Sequence, residues 1–574
     1  MDKHQVADKL REMAQMLELK DENPYKVIAY RKAADSLELS EESLSCLIEE
    51  NKLADLPGIG EALKEKIEIL YRTGTHPALE KLKKEIVPGL IELMELQGLG
   101  AKKVRLLHEG LGINSKEELK AACEKGQVSK LAHFGEKMEH NLLEALSHHA
   151  KWKERRLYGE IQPVARAIQE RLMSVPGVSH VDIVGSIRRF AETPADIDIL
   201  ASGPSRELIE AFTSMESVET TLAKGKFKAS IKHRLGIQVD LRVTGDDTYP
   251  FNLIYFTGSK EHNIQLRNRA KKMGMKLSEW GLTQDDDELI AENEEEVYKL
   301  LGLSYITPEL REGLGEIESA ESNHLPQLIR ETDIRGVFHV HTTASDGKNT
   351  LEQMAEFAAQ LGWEYLGISD HSKSSVQAGG LSEERLFEQM EAIDRYNESK
   401  NKKIHLFKGV ECDIMKDGSL DYERAVLEKL DFTIVSIHRF FTLSKEEQTK
   451  RLIKAIENPY TTMVGHLTGR LLLRRDAYPL NVKKVIDAAA DNGKIIELNA
   501  SPDRLDMDWR HWHYAKEKGV LASINPDAHS KEGLLHYAQG VSMARKGWLQ
   551  AEDVLNTHPL AKVKKLLKSI QSGP

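Results

Sequence analysis

Three aspartates in the middle of the chain have the spacing of a two-metal site. Asp196 and Asp198 flank Ile197, and alternate residues of a strand project from the same face. Asp240 lies in a second apolar run at 238–243. Three carboxylates on one face repel each other unless divalent cations lie between them, and two Mg²⁺ or Mn²⁺ ions about 3.5–4 Å apart suit phosphoryl transfer. The pattern predicts metal-dependent catalysis at these aspartates.

A glycine-serine pair upstream of the aspartates is suited to bind phosphate. Gly185 and Ser186 follow a strand-like run, and Arg189 comes three residues after the serine. Backbone N–H groups, a hydroxyl and a guanidinium can all donate hydrogen bonds to a triphosphate. A lone Asp-x-Asp is equally typical of a solvated sheet edge, but the combination with this pair favours a nucleotide site.

A second group of potential metal ligands begins after Arg335. His339 and His341 alternate on one predicted strand, and acidic or histidine residues follow the later strands. Neutral imidazoles and carboxylates that converge on the mouth of a barrel form a multinuclear site for Mn²⁺, Zn²⁺ or Fe²⁺. A lone histidine is usually a core or surface residue, but here six of seven predicted strand ends carry a potential ligand.

The elements that position these groups change along the chain. The pattern is helical to about residue 150, strands are predicted at 181–184, 197–200 and 238–243, a helix at about 288–302 and a polar linker at 312–323. Seven β/α units follow, which predict a parallel barrel with its functional residues at the C-terminal strand ends. Their strands are predicted at 337–341, 365–369, 405–411, 432–438, 462–466, 495–499 and 521–525.

Two glycine turns in the helical part predict DNA binding. Gly58 and Gly60 precede one helix, and Gly98 and Gly100 precede another that carries Lys102. Such helix-hairpin-helix turns present backbone N–H groups to phosphates without side chains in the way. Plain turns between helices are the alternative, but two in tandem favour binding of DNA that does not depend on its sequence.

The composition excludes several other classes of protein. The 574 residues are 30% charged and 40% hydrophobic, which is typical of several folded domains and not of a disordered or collagen-like chain. Three widely spaced cysteines exclude a disulfide framework. No stretch approaches the roughly 18 apolar residues of a membrane span, so we expect a cytoplasmic protein without a membrane partner.

The central motifs resemble those of family X DNA polymerases, the polymerase beta group. The resemblance rests on residues 185–198, Asp240, the stretch 255–259, Asn263 and Arg267. It implies a palm in which the three aspartates bind metals and Asp240 accepts the proton of the primer 3′-hydroxyl. It also implies nucleotide and DNA contacts: triphosphate at Gly185, Ser186 and Arg189, sugar at Tyr255, Phe256 and Gly258 in an extended turn, the incoming base at Asn263 and the template at Arg267.

The chain departs from this family's pattern in two places. The glycine-rich stretch before the aspartates is replaced by residues 193–195, so a small triphosphate contact is missing. Lys66 occupies the position of the family's lyase nucleophile, and Lys26 and Tyr30 the expected 5′-phosphate position. Basic residues of the family are replaced nearby by Ala54, Asp55 and Ala62. A lyase lysine needs a depressed pKa, and an ordinary exposed lysine is the alternative.

The C-terminal histidine pattern resembles the PHP (polymerase and histidinol phosphatase) domain. The resemblance implies a trinuclear metal centre with nine ligands: His339, His341, Asp346, His371, Glu411, His438, His466, Asp527 and His529. Four arginines near the mouth are candidates to hold DNA phosphates, with surface solvation as the alternative: Arg439, Arg470, Arg474 and Arg475.

The two resemblances together predict a multidomain fold. It consists of all-α helix-hairpin-helix domains, an α+β nucleotidyltransferase palm and a C-terminal (β/α)7 barrel. The predicted bounds are a lyase-like domain at 1–81, a DNA-binding domain at 82–152, a palm at 153–246, a nascent-base-pair-binding domain at 247–318, a linker at 319–333 and a PHP nuclease domain at 334–574.

The predicted function is DNA polymerisation with 3′-end trimming. We expect a monomer that fills short gaps in gapped or nicked DNA with dNTPs during base excision repair. Its PHP domain is expected to be a 3′–5′ exonuclease, with AP endonuclease and 3′-phosphodiesterase activity as further options. One alternative is a PHP nuclease or phosphatase that uses an inactive polymerase core as a DNA-binding scaffold. The other is a DNA-end bridging protein, which the complete ligand sets disfavour.

Overall fold

The computed structural model divides into two compact units, Met1–Lys153 and Glu154–Pro574. It describes residues 3–39, 44–49, 51–94, 96, 99–140, 142–143, 146, 155–285 and 287–572. Among these residues, no helix combines the length and apolar character needed to cross a membrane.

The N-terminal unit is helical, as its sequence pattern predicts. Its core is formed by apolar residues at helical spacing, such as Leu10, Leu37, Ile67 and Leu93. The N-cap residues Gly60 and Gly100 begin two of the helices. The α-helices span Lys3–Leu19, Pro24–Leu39, Leu44–Glu49, Glu61–Thr73, Pro77–Glu85, Pro88–Met94, Ala101–Leu111 and Lys116–Glu124.

A five-stranded mixed sheet begins the second unit. Its strands β1 to β5 have the order β1-β2-β5-β4-β3, and β2 and β5 are parallel neighbours. Strands β3 and β4 were not predicted, because β3 is an exposed edge strand without an apolar alternation. The strands span His180–Val184, Asp196–Ser202, Val218–Lys224, Lys228–His233 and Gln238–Thr244, and the helices Tyr158–Met173 and Ser205–Thr213 pack on them.

The next part of the chain, which we call the 249–321 region, is mainly helical. It contains the helices Tyr249–Thr257, Lys260–Lys272, Glu294–Leu300 and Glu316–Glu321 and the small antiparallel sheet β6 (Met275–Ser278), β7 (Gly281–Gln284) and β8 (Asp287–Leu289). The predicted polar linker at 312–323 is therefore wrong. Ile317 and Ala320 are buried there, and the buried Glu316 carboxylate forms a hydrogen bond with His262.

A seven-stranded parallel barrel completes the second unit. Strands β9 to β15 pair in sequence order, and a bridge between Val340 and Ala528 brings the two edges together, so the barrel is nearly closed. The strands span Gly336–Val337, Tyr365–Ile368, His405–Asp413, Phe432–Ser436, Met463–Val464, Ile495–Asn499 and Ala522–Asn525. The first and fifth are shorter than predicted, and His466 lies outside strand geometry with a φ of 22°.

Helices cover the outside of the barrel, which makes the strands nearly continuous apolar runs. The strand β12, for example, is buried over its whole length. The α-helices span Leu351–Gln360, Glu383–Glu398, Arg424–Leu427, Lys445–Ile456, Val482–Asp491, Trp512–Glu517, Tyr537–Lys546 and Leu560–Ser572.

A buried ion-pair network fixes the 249–321 region against the sheet. Glu294 is 5% exposed and accepts hydrogen bonds from Arg188 at 2.7 and 2.9 Å and from Arg311 at 2.7 Å. Burial raises the pKa of Glu294, but the two guanidinium groups outweigh burial and lower this pKa to about 2.

We predict that Glu294→Gln destabilises the protein by about 3 kcal/mol near neutral pH, because the buried guanidinium of Arg311 and the partly buried guanidinium of Arg188 lose their carboxylate partner. The unfolded pKa of glutamate is about 4.3, so the stabilisation is present above that pH and is lost as the pH falls towards 2. Melting temperatures of wild type and variant, measured between pH 7 and pH 3, should converge at acid pH. Glu295→Gln, at an exposed neighbouring position, is the control. A constant difference at all pH values would contradict this account.

Candidate active sites

The carboxylate site, formed by Asp196, Asp198 and Asp240, lies on two neighbouring parallel strands. Asp198 on β2 is the register partner of Asp240 on β5, and Asp196 is two residues before Asp198. The side chains therefore project from one face. Ser230 Oγ donates a hydrogen bond to Asp240 Oδ1, and Gln238 Nε2 lies 3.2 Å from Asp240 Oδ2. The structure thus brings the three aspartates together and holds the side chain of Asp240.

Burial and mutual repulsion give the carboxylate site an affinity for cations. Burial, followed by the charges of Asp196 and Asp240, raises the pKa of Asp198 to about 7. Burial and the charge of Asp240 also raise the pKa of Asp196. Divalent cations would relieve both effects, and an all-carboxylate donor set fits Mg²⁺ or Mn²⁺.

The glycine-serine turn lies directly against the carboxylate site. Gly185 has a φ of +63°, and a Cβ atom added to it would lie 2.3 Å from Asp198 Oδ2. Only glycine fits this position without displacing the aspartate. Gly185 and Ser186 open the short helix Gly185–Arg188, so the predicted phosphate-binding residues are adjacent to the predicted metal ligands.

Arg189 extends from this turn to the 249–321 region. Its Nη1 donates to the carbonyl oxygen of Thr257 at 2.5 Å, and its Nε lies 3.3 Å from Glu312 Oε1. A Cβ atom on Gly258, which has a φ of +67°, would lie 3.1 Å from Arg189 Nη1. Arg189 and Gly258 are therefore neighbours, as expected of residues at one nucleotide site.

One predicted sugar residue and the predicted base and template residues line a small cavity. Tyr255, Asn263 and Arg267 border it, Asn263 Nδ2 donates to the carbonyl oxygen of Tyr255 at 2.8 Å, and Arg267 Nε to that of Asn263 at 3.3 Å. The predicted extended turn at Tyr255 and Phe256 is wrong, since both belong to the helix Tyr249–Thr257, in which Phe251 and Ile254 are buried.

Arg242 lies beside the carboxylate site, on the same strand as Asp240, and the sequence analysis missed it. Its Cζ lies 4.4 Å from the centre of the Phe256 ring. Its position two residues after Asp240 on β5 was the available signal, because alternate strand residues share a face.

The histidine site, formed by the nine ligands predicted for the barrel, lies at the C-terminal ends of the strands. Glu411 is 1% exposed and is central, with His371 Nδ1 at 2.8 Å, His466 Nε2 at 2.9 Å and His438 Nε2 at 3.2 Å from its oxygens. The site opens into a cavity of about 730 Å³.

The donor atoms of the histidine site fit a group of metal ions. Three sets of side chains each have ligand atoms within 4.8 Å of one another, and His341 and His371 each belong to two sets. The buried atoms His339 Nε2, His341 Nδ1 and His466 Nδ1 have no hydrogen-bond partner among the described residues. The sets are His341, Asp346, His371 and His529; His339, His341 and Asp527; and His371, Glu411 and His438.

Carboxylates of the histidine site favour positive charge on His371 and His438. Burial lowers the pKa of His371, but the carboxylates of Glu411 and Asp346 raise it to about 11. Burial also lowers the pKa of His438, but the carboxylates of Glu411 and Asp413 raise it to about 9. Metal ions would replace these protons, because ligation requires neutral imidazole.

Two carboxylates behind the histidine site were missed by the sequence analysis. Glu497 is buried on β14 and lies 2.7 Å from His339 Nδ1, which leaves His339 Nε2 directed towards Glu411 and Asp527. Asp413 lies 2.5 Å from His438 Nδ1. Such carboxylates orient metal-binding histidines. The signal for Glu497 in the sequence was a charged residue within an otherwise apolar run.

The four arginines predicted to hold DNA phosphates have different surroundings. The prediction is wrong for Arg470, whose guanidinium is largely buried and forms ion pairs with Asp508 and Glu192. Arg475 donates to the carbonyl oxygen of Gly469 at 2.7 Å, and Arg474 is exposed. Arg439 does line the cavity.

Arg504, which was not predicted, also lines the cavity. Its Nε lies 3.4 Å from Asp527 Oδ2, so its charge is next to a predicted metal ligand. No spacing in the sequence marked this residue.

The N-terminal unit has the first expected glycine turn and part of the second. Gly58 has a φ of +83°, and Gly60 and Gly100 cap helices with open space beside their Cα atoms. Lys102 is exposed, and Gly98 lies outside the described residues. Lys66 Nζ donates to the carbonyl oxygen of Ala62 at 2.9 Å on its own helix, and its lyase role stays a prediction.

A third turn of the same geometry follows at 131–135. Phe134 N donates to Leu131 O at 3.1 Å, as Ile59 N does to Leu56 O in the first turn. His133, with a φ of +68°, occupies the left-handed position that glycine has in the first turn. The missing glycine explains why the sequence analysis did not find it.

Comparison with family models agrees with this organisation. Residues 1–76 match a helix-hairpin-helix domain, residues 90–147 a SAM-like helix-hairpin-helix tandem, residues 252–312 the DNA polymerase beta thumb, and residues 338–501 the PHP domain.

Comparison with known proteins extends the match to the whole chain. The DNA polymerase/3′-5′ exonuclease PolX of Bacillus subtilis (strain 168) is 38% identical over 99% of this chain and 100% of its own length. A probable phosphatase of Thermoanaerobacter sp. (strain X514) is 30% identical over 40% of this chain and 93% of its own. One of Acetivibrio thermocellus is 33% identical over 38% and 89%. This chain therefore belongs to the family X DNA polymerases that carry a C-terminal PHP domain.

Proposed function

We propose that the chain fills short gaps in DNA with dNTPs at the carboxylate site and trims 3′ ends at the histidine site. The observation that carries the proposal is the presence of two separate sets of metal-ligating side chains in one chain. In this proposal the protein is a monomeric, cytoplasmic repair enzyme that acts on gapped or nicked DNA. The helix-hairpin-helix turns would hold the DNA backbone.

The carboxylate site has the groups needed for nucleotide addition. Divalent cations such as Mg²⁺, when bound there, neutralise the triphosphate and favour ionisation of the primer hydroxyl. Asp240 is the base that accepts the proton of this 3′-hydroxyl, and Ser230 and Gln238 hold its carboxylate in place. The turn at Gly185 and Ser186 offers backbone and hydroxyl donors to the triphosphate.

Tyr255, Phe256 and Gly258 would receive the sugar, Asn263 the base and Arg267 the template strand. The shared cavity of Tyr255, Asn263 and Arg267 supports this assignment.

The histidine site is suited to phosphodiester hydrolysis. Bound Mn²⁺, Zn²⁺ or Fe²⁺ would polarise the phosphodiester and lower the pKa of water. Glu497 and Asp413 orient His339 and His438 from behind. Arg504 and Arg439 at the cavity wall would attract the phosphate oxygens.

The alternative is a phosphatase or nuclease with an inactive polymerase core. The relatives named probable phosphatases match only the barrel part of this chain. The experiment that separates the two is incubation of end-labelled gapped DNA with and without dNTPs, in Mg²⁺ and in Mn²⁺. Extension with dNTPs and release of mononucleotides without them support the proposal, whereas release of inorganic phosphate alone contradicts it.

We predict that Asp198→Asn lowers dNTP incorporation by at least about 100-fold, comparable to the loss of one electrostatic stabilising group. The same variant should raise the melting temperature of the metal-free protein at pH 8. The pKa of Asp198 rises from about 3.9 in the unfolded chain to about 7 in the folded chain. The folded state of the wild type therefore becomes less stable as the pH rises between these two pKa values. Asparagine carries no charge, so the variant does not lose stability in this way.

Single-turnover extension and thermal denaturation at pH 4 and pH 8 check both effects, and Asp247→Asn, at an exposed position, is the control. Trimming of 3′ ends should persist. Full incorporation by Asp198→Asn, or the same gain in melting temperature at both pH values, would contradict the assignment.

We predict that the double variant His339→Ala, His341→Ala loses metal from the barrel and slows 3′-end trimming by at least about 100-fold, because changes behind a ligand alone cost about 10–100-fold. Gap filling supported by Mg²⁺ should continue. Elemental analysis of the purified protein and a trimming assay measure the two losses, with His513→Ala on the surface as the control. Retention of both metal and trimming would show that the histidine site is not the nuclease centre.

A further inference from the structure

We propose that the barrel braces the nucleotide site: Lys546 of the barrel positions Arg189 and the segment 190–195, which joins the phosphate-binding turn to Asp196. The inference rests on the proposed role of Arg189 in triphosphate binding. It makes Lys546 a positioning residue for polymerisation, although it belongs to the domain that carries the nuclease site.

Lys546 contacts Arg189 directly and is also linked to it through Glu312. Its Nζ donates to the carbonyl oxygen of Arg189 at 2.8 Å and contacts Glu312 Oε1, and the same Glu312 oxygen lies 3.3 Å from Arg189 Nε. Lys546 is 2% exposed, and its Nζ lies 4.5 Å from the centre of the Trp509 ring. A buried ammonium group keeps such a position only with well-placed partners, so the backbone and side chain of Arg189 are both held.

The rest of the segment is also held by the barrel. Phe190 packs against the apolar core of the barrel, and Glu192 forms a largely buried ion pair with Arg470. Arg470 in turn lies 2.9 Å from Asp508. On the other side, the carbonyl oxygen of Glu192 accepts a hydrogen bond from the backbone N–H of Tyr158 at 3.0 Å. The segment therefore lies between the sheet and the barrel.

This arrangement has a consequence for nucleotide binding. A guanidinium that is fixed in advance binds phosphate with a smaller loss of side-chain entropy. Without the Lys546 charge, Glu312 is free to pair more closely with Arg189 and draw the guanidinium away from the triphosphate. The apparent affinity for dNTP should then fall, whereas the histidine site, to which Lys546 contributes no ligand, should be unaffected.

The experiment compares Lys546→Met with wild type in the full-length chain. The assay measures kcat and KM for dNTP on a single-nucleotide gap, KM for DNA, and 3′-end trimming without dNTP. We expect KM for dNTP to rise about threefold to tenfold, as when one ordinary hydrogen bond is lost, with the trimming rate within about twofold of wild type. Lys546→Arg, which keeps the charge, should recover most of the affinity.

Arg545→Met is the matched control. Arg545 precedes Lys546 on the same helix and pairs with Glu309 at 2.7 Å. Its loss therefore removes another ion pair between this helix and the 249–321 region, but no contact to Arg189 or to the segment 190–195. Its KM for dNTP should stay within about twofold of wild type.

Three results would overturn the brace: an unchanged KM for dNTP in Lys546→Met, an equal rise in Arg545→Met, or a rise accompanied by the same loss of trimming. The last two would indicate general loosening of the fold. Failure of wild type itself to incorporate dNTP would overturn the proposed function, and the brace with it. Incorporation by wild type with an unchanged variant overturns the brace alone.

Discussion

Glu411 is the carboxylate around which the histidine site is built. It is almost completely buried, and nitrogen atoms of five histidines lie within 3.7 Å of its two oxygens. So many ligand groups can be buried together only if protons or cations balance their charges. The carboxylate site has the same constraint in another form, since burial, followed by the charges of neighbouring aspartates, raises the pKa values of Asp196 and Asp198. Ion binding would therefore complete the charge balance at both sites.

The fold meets this constraint with rigid neighbours. Parallel strands β2 and β5 fix Asp198 opposite Asp240, and Gly185 leaves room for the first of them. At the barrel mouth, the carboxylate of Glu497 fixes His339 from behind. Sites on strands are held more accurately than sites on loops. The two sites have separate ligands, but side chains of the barrel also contact Arg189, Phe190 and Glu192, which lie between the glycine-serine turn and Asp196.

Much of the fold and of both ligand sets follows from local pattern. The i, i+2 spacing of Asp196 and Asp198 indicates that they share a strand face, and apolar strands that alternate with helical stretches indicate the barrel. What the sequence hides depends on distant partners. Arg470 looked like a DNA contact because its partner Glu192 is 278 positions away in the chain. The helix Glu316–Glu321 looked like a linker because its polar residues conceal the burial of Glu316 against His262.

The most direct test of the account is anomalous X-ray diffraction from crystals of the full-length chain soaked in Mn²⁺. The account predicts Mn²⁺ peaks among Asp196, Asp198 and Asp240, and a separate group of peaks among the nine residues of the histidine site. Peaks at both places would support two metal centres in one chain. Absence of peaks at either place, in crystals that bind Mn²⁺ elsewhere on the protein, would contradict it.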